Sequence, residues 1–222
     1  MDVVYLYRSC DTIALRYSLR SLKNVPHDRV FLVGDKPDWI REIIHIPVKD
    51  LYKKGSYKYK LINTWNKIAM SCKCRQISDN FILFNDDYYV LEKIDSFPYY
   101  YTGKIKRYER PSNYQAAVMR SGQFFDSPLH FASHTPIVYN KERFLSLPYP
   151  FEKGLDHKII YCNYYDVHPR EKINDPKVRG ASGVRLAGAF LSTSDKVERN
   201  KAFKKEMDKL FPEKSKYESD VF

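Results

Sequence analysis

The sequence predicts an α/β protein with a mixed, mainly parallel sheet flanked by helices. Two observations carry that prediction. Short apolar runs recur at residues 3–7, 29–33 and 81–84, each suited to a buried strand. Between them lie stretches whose apolar residues repeat at helical spacing, so strand and helix alternate over the first 90 residues.

Each element has a local reason. After the first strand, Ser9 and Asp11 offer N-caps for a helix over residues 12–23, with Leu15, Leu19 and Leu22 on one face. Asn24-Val25-Pro26 ends it. The strand "RVFLV" stops at Gly34-Asp35, and "KPDWIREII" predicts a short helix from Pro37 or Asp38. Residues 44–48 make a third short strand. Leu61, Trp65, Ile68, Ala69 and Cys72 set a helix over residues 59–74. "FILFNDDYYVL" then supplies the next strand. Beyond Leu91 the pattern loosens. "FPYYYTGKIKRYERP" reads as strands with an excursion, residues 112–120 as a helix, "HFASHTPIVYN" as a strand and "KERFLSL" as a short helix. Residues 156–165 predict another helix. "KVRGASGVRLAGAFLSTSD" is glycine-rich, and Asp195 with Glu198 resembles a capping box opening a last helix to Phe211. Phe203, Met207, Leu210 and Phe211 form one stripe of that helix, the pattern of a helix packed on its own domain. The expectation is a single domain over residues 1–222, with halves 1–91 and 92–222, the second carrying the C-terminal helix; the resemblance set out below implies that the first half binds a nucleotide and the second an acceptor.

Composition narrows the function. Hydrophobic residues make up 43% and aromatics 15%, which argues for a folded chain. The formal charge of +11 fits a polyanionic partner as well as it fits plain solubility. Four cysteines, one pair as a lone C-x-C, make neither a disulfide scaffold nor a zinc site. No stretch approaches the roughly 20 apolar residues of a membrane span. "MDVVYLYRSCD" does not read as a signal peptide, so the expected location is cytoplasmic.

The candidate site follows from the strand ends. Ligands of open α/β sheets bind outside the carboxyl ends of strands. The first strand ends at Tyr7-Arg8, the second at Asp35 and the next apolar one at Asn85-Asp86-Asp87. Two adjacent carboxylates between core-like runs are costly to desolvate. A hard divalent ion, Mn2+ or Mg2+, offsets their repulsion and bridges to phosphates; Asn-Asp-Asp is also good turn chemistry. Arg8 is placed to meet a phosphate. Asp156, in "KGLDHKII", is a candidate general base, although helix N-termini favour Asp in any case. Arg179 and Arg185 bracket "RGASGVR", a segment suited to sensing phosphate or simply to a solvated loop; it lacks a Walker ending. Lys104, Lys106, Arg107, Tyr108 and Arg110 interleave cations with tyrosines, a pattern suited to a nucleic-acid acceptor and equally to a Tyr-rich strand pair with a solvated face.

"LRYSLRSLKNVPHDRVFLVGDKPDWI" followed by "FILFNDDYYVL" resembles the Stealth family of capsular-polysaccharide phosphotransferases and related small glycosyltransferases of the GT-A type. The likeness spans residues 12–91, with a weaker echo in "SHTPIVYNKERF". The first strand, in "VVYLYRSCD", lacks that family's Asp-Gly ending. The resemblance implies a GT-A-like, Rossmann-like fold in which a DxD-like motif holds a divalent metal against a nucleotide-diphosphate sugar, a uridine diphosphate sugar first. Carried over, Asp87 is the direct metal ligand, Asp86 binds metal or sugar hydroxyls in a catalytic role, Asn85 completes the motif, and His134 is a late metal ligand. Tyr7, Arg8, Asp35, Arg179 and Arg185 then hold the donor. The acceptor is a hydroxyl on a glycan or on a hydroxymethylated base of phage-type DNA. The alternatives are a Stealth-type sugar-1-phosphate transferase and a non-catalytic nucleic-acid-binding module.

Overall fold

The computed structural model describes residues 1–8, 13–53, 55–149, 151–180 and 188–219. Strand β1 (Asp2–Tyr7) lies in a five-stranded sheet with β2 (Val30–Gly34), β3 (Ile44–Ile46), β4 (Asn80–Asn85) and β7 (Ile137–Asn140), in the order β3-β2-β1-β4-β7. All neighbours run parallel except β4 and β7.

Side-chain alternation sorts the two faces. Val3, Tyr5, Ile82 and Phe84 point to helix α1 (Ala14–Ser21), where Leu15 and Leu19 are 1% exposed. Val4, Phe81 and Leu83 point to helix α2 (Tyr57–Lys73), against Trp65, Ile68 and Cys72. Burying each large side chain stabilises the fold by about 2 kcal/mol. The chain winds outward from β1 through β2 to β3. It then crosses back through α2 to β4 on the other side of β1. The carboxyl ends of β1 and β4 are therefore the switch point of the sheet, where a crevice opens.

Two small sheets complete the fold. β5 (Tyr88–Val90) pairs with β10 (Phe190–Thr193), which pairs with β9 (Lys177–Val178). β6 (Tyr99–Tyr101) pairs with β8 (Arg170–Lys172). Helix α3 (Asn113–Gly122) starts on a Ser112–Gln115 capping box, α4 (Lys141–Leu145) on Asn140, and α5 (His157–Tyr164) on Asp156. No helix among the described residues is long and apolar enough to cross a membrane.

Three expectations are corrected. The predicted helix at Pro37 is a turn, because the C-terminal segment takes its backbone groups: Ile40 bridges Glu218, and Ser219 N–H donates to Trp39 C=O at 2.7 Å. The predicted strand over residues 130–140 shortens to β7. The last helix is two, α6 (Asp195–Glu198) and α7 (Lys201–Leu210), the second capped by Asn200, whose side chain accepts from Ala202 N–H at 2.9 Å. Ser194, not Asp195, is the N-cap of α6, and the Glu198 side chain turns inward instead of capping. Phe203, Met207 and Phe211 do pack inside, against Tyr89 and Leu191.

Candidate active site

A cavity of about 550 Å3 opens at the β1/β4 switch point. Tyr7 and Arg8 from the end of β1 line it, as do Asn85, Asp86 and Asp87 beyond β4. From the second half of the chain come His134, Asp156, Arg179 and Glu198. Helix α2 presents a polar stripe to the same space, Tyr57, Lys60, Thr64 and Lys67, spaced by three or four residues. The predicted Asp35 is exposed and lies outside the cavity wall. Arg185 lies outside the described residues. Lys104, Lys106, Arg107, Tyr108 and Arg110 form an exposed stretch leading into α3 and do not line the cavity. Of the neighbouring tyrosines, Tyr100 and Tyr101 pack on Phe190 and Phe131, while Tyr114 faces the cavity.

The motif is held by partners that no local sequence signal marks. Lys177 donates to Asp87 Oδ2 and to the Thr193 carbonyl, and Ser192 Oγ donates to the same Asp87 oxygen at 3.1 Å. His134 is fixed by Asp175, which accepts from the His134 backbone N–H at 3.1 Å and sits 2.9 and 3.0 Å from Nδ1. In the neutral ring this pairing puts the proton on Nδ1, donating to Asp175, and leaves Nε2 as the acceptor nitrogen. Burial pushes the Asp175 carboxyl up, but the His134 bonds and the Arg179 charge outweigh it and hold the group at about 2. Asp175 and Lys177 flank Pro176 in a stretch without helical or strand periodicity, so only the folded chain brings them to the motif.

Asp156 serves the helix and faces the cavity. Its Oδ1 accepts from Lys158 and Ile159 N–H at 3.0 and 3.1 Å, leaving Oδ2 outside the cap. Ser121 Oγ accepts from Asp156 N–H at 2.7 Å, and Trp65 Nε1 donates to Leu155 C=O at 2.7 Å, so α2 and α3 both fix this turn. Such buried bonds contribute about 1 kcal/mol each. His157 beside it is bonded to Tyr139 at 2.6 Å; burial pushes it down to about 4, so it is neutral at pH 7.

Among the described residues no three His, Cys, Asp or Glu side chains gather as a closed ligand set. Asp86, Asp87 and His134 line one cavity, but Asp87 is bonded to Lys177 and Ser192 and His134 to Asp175; the two carboxylate side chains are the hard oxygen donors present for a divalent ion.

Glu198 is a further carboxylate lining this cavity. It is 6% exposed, accepts from Thr193 Oγ1 at 2.9 Å, and burial raises its pKa to about 7, with Asp87 and Asp86 adding to the rise. A raised acid binds more protons folded than unfolded, so it costs stability as pH climbs from about 4.5 through 7. Glu198→Gln is therefore expected to stabilise the protein by up to about 3 kcal/mol at pH 8 and by little below pH 5. Urea unfolding at both pH values reads this; an equal effect at both would show that the carboxyl does not titrate as described.

The sheet order, switch-point cavity and flanking helices make this a GT-A-like fold. The galactosyltransferase LgtC, solved with donor and acceptor sugar analogues, superposes with a TM-score of 0.57 over 96% of this chain and 95% of its own, at 10% identity. A glycosyltransferase involved in glycosylating the major capsid of PBCV-1 aligns over 80% of this chain and 84% of its own, at 11% identity and a TM-score of 0.39. No family model and no curated protein matches the sequence.

Proposed function

We propose that this protein is a metal-dependent glycosyltransferase that moves a sugar from a nucleotide-diphosphate sugar to a hydroxyl acceptor. One observation carries the reading: Asn85-Asp86-Asp87 lies at the sheet's switch point and shares a cavity with Arg8, His134 and Asp156. The LgtC-like fold supports it. Asp87 and Asp86, with His134 Nε2, would hold Mn2+ or Mg2+. When bound, that ion supplies positive charge to the departing diphosphate. Arg8 and Arg179 add cationic donors on either side. Tyr7 closes the donor end, with Lys67 held beside it by the Tyr7 carbonyl at 3.1 Å and by Asp50 at 2.8 Å. Asp156 Oδ2 would orient a sugar hydroxyl or take the acceptor proton.

In this reading residues 1–91 hold the nucleotide and residues 92–222 the acceptor. The exposed Lys104–Arg110 stretch precedes Tyr114, whose ring meets Tyr57 edge-on at 6.3 Å on the cavity wall. It would guide an anionic acceptor, such as a hydroxymethylated duplex.

The test is a panel of nucleotide sugars screened for Mn2+-dependent thermal stabilisation. A uridine or guanosine diphosphate sugar is expected to raise Tm only with the metal. If none does, the reading fails. Product mass then separates sugar transfer from sugar-1-phosphate transfer, because only the latter adds a phosphate. Neutralising Lys104, Lys106 and Arg107 together is expected to weaken duplex binding about tenfold and spare donor hydrolysis. An equal fall in hydrolysis without acceptor would remove this stretch from the acceptor surface. Steep salt-dependent DNA binding with no metal-dependent donor binding would point to a non-catalytic module.

A further inference from the structure

Three buried or half-buried lysines line the cavity, and two of them carry their own carboxylate. Lys67 meets Asp50 at 2.8 Å, and Lys177 meets Asp87. Lys158 does not. It is 5% exposed, and among the described residues no carboxylate lies within 4.0 Å of its nitrogen. Its ammonium donates to two neutral acceptors, the Ser133 carbonyl at 2.8 Å and the Thr135 carbonyl at 2.5 Å. The Tyr88 ring lies 5.2 Å from it. That ring covers part of the ammonium as a cation–π partner, and the Lys158 side chain also lines the cavity.

A buried cation with no carboxylate in direct contact is costly and is normally paired. We propose that Lys158 is an anion-binding residue of this cavity, and that the ligand supplies an oxyanion, phosphate or carboxylate, as its counter-charge. The position supports this. Lys158 is the second residue of α5, two past its N-cap Asp156, and both residues line the same cavity as the motif. Burial pushes its pKa down to about 8, although Asp156, Cys162, Asp175 and Asp87 pull it up. The inference rests on the glycosyltransferase reading only in naming the two sources: the donor's diphosphate, or an acidic group on a sugar.

The test measures binding of inorganic pyrophosphate and of glucuronate by calorimetry, to the wild type and to Lys158→Gln and Lys158→Arg. Gln keeps donors for the two carbonyls and removes the charge; Arg keeps the charge. Pyrophosphate weakened at least tenfold by Gln, and less by Arg, assigns Lys158 to the diphosphate. The same loss for glucuronate alone assigns it to an acidic sugar. A Gln variant of unchanged Tm that binds both probes like the wild type overturns the inference, and so does a wild type that binds neither. Should the Gln variant not fold, reductive methylation of the wild type, read by mass spectrometry, replaces it: a bound probe must protect Lys158, and no protection overturns the inference. The two readings fail separately. A positive nucleotide-sugar panel with an unaffected Gln variant removes this inference alone. A negative panel with probe binding lost in the Gln variant removes the glycosyltransferase reading alone.

Discussion

Asp87→Asn is expected to weaken Mn2+-dependent binding of the donor nucleotide sugar at least about a hundredfold, which is about 3 kcal/mol. Asparagine keeps the shape and a ligand oxygen but removes the charge. The effect has two parts, because Asp87 also holds Lys177. The Asn variant leaves that ammonium beside only the Thr193 carbonyl and a neutral amide. Lys177→Met separates them. If Lys177 occupies the carboxylate until metal arrives, Lys177→Met should tighten Mn2+ binding while Asp87→Asn abolishes it. Calorimetry with Mn2+ and a nucleotide sugar reads both. Equal donor affinity in Asp87→Asn and the wild type would end the metal assignment.

The largest expected effect on stability is at Gly34, the last residue of β2. Its φ is +121°, and a Cβ there would stand 2.0 Å from the Tyr7 carbonyl oxygen and 3.2 Å from the Lys67 side chain. Backbone, not a flexible side chain, blocks the space. Gly34→Ala is expected to cost at least about 3 kcal/mol, combining left-handed strain with the overlap. The urea midpoint should fall accordingly, and donor affinity should fall with it, because the same shift displaces Tyr7 and Lys67 on the cavity wall. A midpoint within about 0.5 kcal/mol of the wild type would mean that the strand end relaxes freely.

Much of the fold was legible because its signals are local. The Leu15–Leu19–Leu22 stripe, the Trp65–Ile68–Cys72 stripe and the apolar strands each bury one face, and periodicity records that directly. The cavity lining was legible at strand ends, Tyr7-Arg8 and Asn85-Asp86-Asp87, and at His134, Asp156 and Arg179, but not at their partners Asp175 and Lys177. Position along the chain could not say that Asp35 stays at the surface while Asp156 turns inward, because both occupy good turn or cap positions. The helix expected at Pro37 failed for a different reason. Its backbone groups are taken by residues 217–219, a partner far away in sequence.

Glu198 shows the same limit within one residue. Its spacing from Asp195 matches a capping box, and local chemistry favours that use. The fold instead buries it against Thr193, near Asp86 and Asp87. The sequence alone determined the parallel α/β core and the carboxylate pair at its edge, since both depend on neighbours a few residues away. The charges around that pair, Lys177 on Asp87, Asp175 on His134 and Lys158 with no carboxylate of its own, were decided only by tertiary structure. Electrostatic pairing depends on distance in space, and these partners lie up to 90 residues apart along the chain.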